Sequence, residues 1–433
     1  MKYPRYPAYK DSGVEWIGEI PEYWNLVPFK WIISIIKGKV PKNIEPEFPE
    51  TNDYLPYLSM EFLRGETVKQ WVRIDNSTFV VNEGEILLLW DGSNAGEFIK
   101  SRKGILSSTV ALISSNKVNH NFLFYFCKVV EHELKELTVG MGIPHVDGDI
   151  LKSFSMPFPS NQEQIYIANF LNCRMTIIDR LISKEQQLIG LLKEKHQAII
   201  THAVTNGLDP NVPMKDSGVE WIGEIPAHWE IKPLFSLMQE KKIKNIEDGN
   251  LEVLSLSYGN IVGREVANNF GLLPESFTTY QVVDKWNIIL RLTDLQNDKN
   301  SLRVGQVKQK GIITSAYVCL QTSVDLIPEF AYFMLHSYDI RKVFYGFGGG
   351  VRQSMIFKDL KHLPIVYPAI DEQIQIIEHI NTEIDKLDIL ILKQEELIEL
   401  LIEYRTSIIS NAVTGKIDVR GFAVPSNSNI TEA

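Results

Sequence analysis

Side chains with paired hydrogen-bond donors and acceptors gather at two places in this chain. The first is Trp90-Asp91-Gly92-Ser93-Asn94, continued by Lys100, Arg102 and Lys103. The second is Arg291-Leu292-Thr293-Asp294-Leu295-Gln296-Asn297, continued by Lys299, Arg303, Lys308 and Lys310. Amide, hydroxyl and guanidinium groups read the edges of base pairs, and lysines beside them neutralise phosphates. Asn94, Lys100, Arg102, Arg291, Thr293, Gln296, Asn297 and Arg303 are therefore expected readers, joined by Arg352 and Gln353. Lys103, Lys299, Lys308 and Lys310 are expected to hold phosphates. Asp91 and Asp294 stand beside strand ends, where each either caps a turn or accepts from a cytosine amino group. Trp90 and Ser93 come with the first loop, and Tyr317 with the element Gly-Ile-Ile-Thr-Ser-Ala-Tyr. His145 follows Ile143-Pro144 as a surface or DNA-facing imidazole.

Bond-making chemistry finds little support. The chain has no GxxxxGK[ST], HExxH or GxSxG and no Asn/Asp-Pro-Pro-aromatic motif. The run Gly346-Phe347-Gly348-Gly349-Gly350 lacks the strand and spacing of a dinucleotide fingerprint and reads as a turn. Cys127, Cys173 and Cys319 are far apart and form no CxxC pair, so neither disulfide framework nor zinc cluster is indicated. Nine scattered histidines lack ligand spacing, and metal binding is not expected. The formal net charge of −10 argues against a protein that coats nucleic acid nonspecifically. Local basic surface remains, because residues 98–130 and 299–310 contain no Asp or Glu.

Two copies of one scaffold must position these groups. Lys-Asp-Ser-Gly-Val-Glu-Trp-Ile-Gly-Glu-Ile-Pro at 10–21 returns unchanged at 215–226, an offset of 205 (215 − 10). Trp24 and Pro28 return as Trp229 and Pro233, and Gly104-Ile105-Leu106-Ser107-Ser108 returns as Gly311-Ile312-Ile313-Thr314-Ser315. Glu163-Gln164-Ile165 and Ala203-Val204-Thr205 return as Glu372-Gln373-Ile374 and Ala412-Val413-Thr414. A repeat this long means two domains, not a solenoid. Within each half, short Val/Ile/Leu/Tyr runs alternate with turn-forming clusters and read as strands of a mixed α/β (α+β) domain. Proline then ends the irregular part, and a long helix follows. Ile178, Leu181, Leu188, Leu192 and Ile199 fall on three- and four-residue steps, matched by Leu387, Leu390, Leu397, Leu401 and Ile408. These are the expected a/d seams of a coiled coil in which the two helices bury their stripes against each other, with Glu185 and Gln394 as polar register-setting steps. The C-terminal segment Gly421–Ala433 is polar and is expected to be disordered.

The duplicated opening, Leu-Leu-Trp-Asp-Gly-Ser-Asn, Arg-Leu-Thr-Asp-Leu-Gln-Asn-Asp, Gly-Ile-Ile-Thr-Ser-Ala-Tyr and Pro-x-x-(Asp/Gln)-Glu-Gln-Ile together resemble the specificity subunit of type I restriction–modification systems. That resemblance implies two target recognition domains in tandem, each reading one half of a bipartite site on double-stranded DNA. It implies heads at 1–159 and 208–368, helices at 160–207 and 369–415 that pair antiparallel, set the gap and dock two modification subunits, and a polar tail at 416–433, with restriction subunits completing the complex. No catalysis and no cofactor are implied for this chain, since S-adenosylmethionine, ATP and Mg belong to partner subunits. The divergent loops imply an asymmetric target. Other readings are a two-headed protein-binding scaffold indifferent to DNA, and the specificity subunit of a methylation-only system. No run approaches membrane-span length and no signal peptide opens the chain, so the expected location is the cytoplasm.

Overall fold

In the computed structural model, the structure describes residues 3–49, 51, 53–138, 144–246, 251–264, 276–295, 298, 301–346 and 354–422. The polar tail is packed where it is described: Val419 is buried in the first unit's core with Ile417 and Phe422 against it, so the disorder expected from Gly421 does not begin there. Residues 423 on lie outside the described residues, as do residues 347–350 of the glycine run. Contacts divide the chain into two compact units, Met1–Glu185 with Glu396–Ala433, and Gln186–Glu395. Each unit thus joins one head to half of each long helix.

The first unit is built around a four-stranded antiparallel sheet of β1 (Ser34–Lys37), β2 (Ile86–Leu89), β3 (Phe98–Lys100) and β4 (Val110–Ser114), in the order β1-β4-β2-β3. All four residues of β2 are buried. Alternation explains why an unbroken apolar run suits a strand here. Ile86 and Leu88 face one cluster with Phe122 and Phe126 of helix α1 (His120–Glu136), while Leu87 and Leu89 face another with Leu58 and Val81. The second unit repeats the order with β5 (Met238–Glu240), β6 (Ile288–Leu290), β7 (Val304–Gln306) and β8 (Val318–Thr322), as β5-β8-β6-β7. Ile288 and Leu290 join Phe330 and Met334 of helix α3 (Pro328–Ile340), and Ile289 joins Val283 and Ile313 on the other face. Among the described residues each unit adds four two-stranded sheets that correspond pair by pair.

The repeated sequence elements have specific structural work. In Gly-Ile-(Leu/Ile)-(Ser/Thr)-Ser, the glycine lets the strand pass close to a neighbour. A Cβ on Gly104 would lie 2.5 Å from the Pro56 carbonyl oxygen, and one on Gly311 would lie 2.7 Å from that of Glu252. Ile105 and Ile312 then make matching parallel bridges to Tyr57 and Val253. In Glu-Gln-Ile, the glutamine pins a long helix to its head. Gln164 Oε1 accepts from the N–H of Asn119, the N-cap of α1, at 2.8 Å, and its Nε2 donates to the Pro159 carbonyl at 3.0 Å. Gln373 repeats this, accepting from the N–H of Ile327, the N-cap of α3, at 2.9 Å and donating to the carbonyls of Pro368 at 3.0 Å and Asp325 at 3.2 Å.

The long helices are α2 (Asn161–Asn206) and α4 (Ile370–Val413). Their seam differs from the expected one in a single respect, the order of its steps. In the first unit Met175, Ile178 and Ile182 of α2 share a cluster with Leu401, Ile408 and Ala412 of α4. In the second unit the inward positions of α2 are Ile189, Leu192, His196, Ile199 and Ala203, and those of α4 are Ile380, Ile384, Leu387 and Ile391. Ile178, Leu192, Ile199, Leu387, Leu401 and Ile408 are therefore seam residues. Leu181, Leu188, Leu390 and Leu397 are not, being 39%, 39%, 42% and 39% exposed. The sequence cannot choose, because each of these leucines is followed by an isoleucine that takes the inward place. Asp179 pairs with Arg405 at 3.4 Å across the first seam, and Asp388 faces His196 at the equivalent place in the second. The register has a direct check: Ile182→Ala should cost about 1–2 kcal/mol in chemical unfolding, and Leu181→Ala under about 0.5 kcal/mol. Equal costs would restore the other phase.

Candidate nucleic-acid interface

Both sets of candidate readers leave the same strand of their sheet. In the first unit the chain turns immediately after β2. The N–H of Trp90 donates to the Thr109 carbonyl at 2.8 Å, the N–H of Val146 donates to the Trp90 carbonyl at 2.9 Å, and the N–H of Gly92 donates to the Pro144 carbonyl at 2.9 Å. These bonds bring His145 beside Asp91 in an isolated bridge. Trp90, Asp91 and His145, 55 positions apart at the extremes (145 − 90), therefore form one surface.

Lys37, on β1, belongs to this group although the sequence reading missed it. Its Nζ lies 2.9 Å from the Asp91 carboxylate and 5.5 Å from the Trp90 ring centroid. Asp91 thus accepts from a lysine as well as standing at a strand end. No spacing rule links residues 37 and 91; the sheet order does. Ser93 is exposed, and Asn94 Nδ2 donates to its Oγ at 3.3 Å. Arg102 and Lys103 are exposed, with the Arg102 guanidinium 5.0 Å from the Phe62 ring centroid. Lys100 is more occupied than expected. It donates to Asn121 Oδ1 at 3.1 Å, lies 5.0 Å from the Phe124 ring, and burial pulls its pKa down.

The second unit holds its readers differently. Arg291, Thr293 and Asp294 are half-buried, and Asp294 has φ +57°. Gln296, Asn297, Lys299, Arg352 and Gln353 lie outside the described residues. Lys308 and Lys310 are exposed. Tyr317 is half-buried against the Val283 and Ile289 cluster, and its carbonyl accepts from Gln281 Nε2 at 2.7 Å. Gln281 also donates to the Thr314 carbonyl at 3.2 Å, so it shapes the repeated Gly-Ile-Ile-Thr-Ser-Ala-Tyr element. In the first unit Tyr57 does that work, its hydroxyl accepting from the Ser108 N–H at 3.1 Å.

Arg303 corrects the expectation most. Placed among the base readers, it is 0% exposed. Its guanidinium donates to the carbonyls of Arg291 at 3.4 Å, Thr293 at 2.8 Å, Asp294 at 3.4 Å, and Asp298. A buried guanidinium has five donors and needs acceptors for them. A run of loop carbonyls supplies these, and no base edge can be reached from there. Its backbone N–H donates to the carboxylate of Asp339 on α3, whose pKa burial pushes up to about 6. Glu131 on α1 has the same place in the first unit, accepting from the Phe98 N–H at 3.0 Å.

Comparison with known proteins agrees with this duplicated, loop-bearing architecture. Residues 21–190 match the family described as type I restriction modification DNA specificity domain. The chain belongs to the type I restriction enzyme specificity subunits, and is the specificity subunit of a type I restriction–modification system. Among its relatives is the MjaVIII specificity subunit of Methanocaldococcus jannaschii, 32% identical over 416 residues, covering 93% of this chain and 94% of that one. The putative MjaX specificity subunit of the same organism is 24% identical, covering 93% and 96%. A chain from a solved structure of the type I R-M system superposes with a TM-score of 0.65 at 14% identity, covering 93% of this chain and 99% of that one, and so shares the fold. No described helix is long and apolar enough to cross a membrane.

Proposed function

We propose that each unit reads one half of a bipartite, asymmetric target on double-stranded DNA through the residues that follow its central strand. The observation that carries this reading is that β2 and β6 hold the same place in identical sheet orders yet lead into unrelated sequences, Trp-Asp-Gly-Ser-Asn and Arg-Leu-Thr-Asp-Leu. One scaffold with two private loops suits two different half-sites better than one repeated half-site. Trp90, Asp91, Ser93, Asn94, Arg102, Lys103 and His145, with Lys37, form the first reading surface. Arg291, Thr293, Asp294, Lys308 and Lys310 belong to the second, with Gln296, Asn297, Lys299, Arg352 and Gln353 as further readers. Each good bidentate base contact contributes about 1–3 kcal/mol of discrimination. The helices set the gap, which lets the second head bind at high effective concentration.

The helices also dock two modification subunits. Ile177, Leu181, Leu400 and Ile402 in the first unit, and Leu191, Ile389 and Leu392 in the second, are apolar and exposed. Apolar residues repeated on outer helix faces fit a protein partner better than water. Catalysis belongs to those subunits and to restriction subunits, which carry S-adenosylmethionine, ATP and Mg, and the assembly works on DNA in the cytoplasm.

The test is modified-base sequencing of DNA from a host that expresses this chain with its modification subunits, against a host lacking the chain. A methylated bipartite motif with a fixed gap, lost with the chain, is expected. Unchanged methylation in the presence of folded protein would favour a protein-binding scaffold. Methylation without restriction of unmodified DNA would place the chain in a methylation-only system.

A further inference from the structure

We propose that Arg303 and Tyr345 are positioning residues for specificity in the second unit, acting from inside the protein to fix the shape of the segment that reads the DNA. The inference rests on the reading of that segment just given. The Arg303 guanidinium draws in the carbonyls of Arg291, Thr293, Asp294 and Asp298 at once. Tyr345 supports the post from behind: its hydroxyl accepts from Arg303 Nε at 3.4 Å and donates to the Asp298 carbonyl at 3.1 Å. Charge balance comes from the Asp298 carboxylate at 3.9 Å and from Asp339, which accepts from the Arg303 backbone N–H. With the carbonyls held inward, the side chains of Arg291, Thr293 and Asp294 remain half-exposed.

The first unit shows why the device is specific to the second. Between β2 and β3 the chain closes on itself through backbone bonds from Ala95 to Gly92 at 3.0 Å, Gly96 to Leu89 at 2.9 Å, and Leu89 to Glu97 at 2.8 Å. Glu97, directly before β3 as Arg303 is directly before β7, pairs with Arg64 at 3.0 Å instead of serving the loop. A tight turn satisfies its own backbone. In the longer connection between β6 and β7 the carbonyls of Arg291, Thr293, Asp294 and Asp298 are met by the Arg303 guanidinium, and buried carbonyls need donors. A planar fork meets several of them simultaneously, which a lysine cannot do. A small change in this interior post therefore moves several readers together while leaving the first half-site alone.

The experiment uses the full chain with its modification subunits and compares wild type, Arg303→Lys and Tyr345→Phe by modified-base sequencing, with melting temperature measured in parallel. Both variants should lower the ratio of methylation at the target to methylation at sites altered by one base in one half of the motif, about tenfold for Arg303→Lys. The other half should keep its wild-type ratio. If the lysine variant does not fold, Tyr345→Phe, which removes one hydroxyl, carries the same comparison. Wild-type ratios at both halves in a folded variant would overturn the proposal, as would equal relaxation of both halves. Absence of any bipartite motif with the wild-type chain would instead overturn the reading on which it rests.

Discussion

Trp24→Ala is expected to destabilise the first unit by about 3–5 kcal/mol, as removal of a large buried aromatic does. Trp24 is 0% exposed and lies in the main cluster with Phe170, Ala412 and Val413. Its indole packs edge-on against Tyr6 with centroids 5.6 Å apart, and Nε1 donates to Glu163 at 3.5 Å. The indole is also the seat for the end of α4. Gly415 follows that helix with φ +75°, and a Cβ there would lie 2.5 Å from Pro21 Cδ and 2.9 Å from Trp24 Cζ3. Left-handed backbone and contact with an indole both favour glycine, so Gly415→Ala should add strain of about 1–3 kcal/mol. Gly207 has the same φ but more room, with Trp229 Cζ2 at 3.2 Å, so Gly207→Ala should cost less. Hydrogen exchange read separately in the two units checks this. Trp24→Ala should raise exchange in α1 and the start of α2, and a cost under about 1 kcal/mol there would show that the indole is not what holds the unit.

Gln373→Leu should cost about 2–3 kcal/mol. Leucine matches the volume, but the carbonyl of Pro368 loses its partner in the interior, and the N–H of Ile327 and the carbonyl of Asp325 lose theirs at part-buried places. Each orphaned buried group costs about 1–3 kcal/mol, partly relieved by relaxation. Gln164→Leu should cost nearly as much, since Gln164 is equally buried and holds Asn119 and Pro159 in the same way. Denaturant unfolding of the two variants tests the equivalence. A loss in one and none in the other would mean that the repeated dipeptide pins the two helices differently.

Much of the candidate site was legible because strands and the loops after them carry a local signature. The runs ending at Leu89 and Leu290 are apolar throughout, and the polar residues that follow are where the chain leaves the sheet. What a side chain does once there depends on neighbours from elsewhere. Arg303 has the composition of a base reader and serves as an interior post, since the acceptors around it come from the loop itself. Nothing in the sequence around Lys37 links it to that loop, and only the placement of β1 in the sheet sets it beside Trp90 and Asp91. The helices show the same division. The period of the seam could be read, but its phase rested on whether Leu181 or Ile182 faces inward, and adjacent apolar residues carry no such information.

The sequence by itself determined the duplication, the two sheet-bearing heads, the two long helices and the family. Each is written in local repetition or local periodicity, where one residue's neighbours in the chain suffice. The tertiary structure alone decided that the described residues from 396 to 422 complete the unit that begins at the N-terminus. It also decided which helix faces meet, and which charged groups are buried. These depend on contacts between residues as far apart as Tyr9 and Gly415, 406 positions along the chain, and burial is a property of everything packed around a group. A charge in the interior is stable only where partners from distant segments converge on it, so its role becomes visible when those segments are in place.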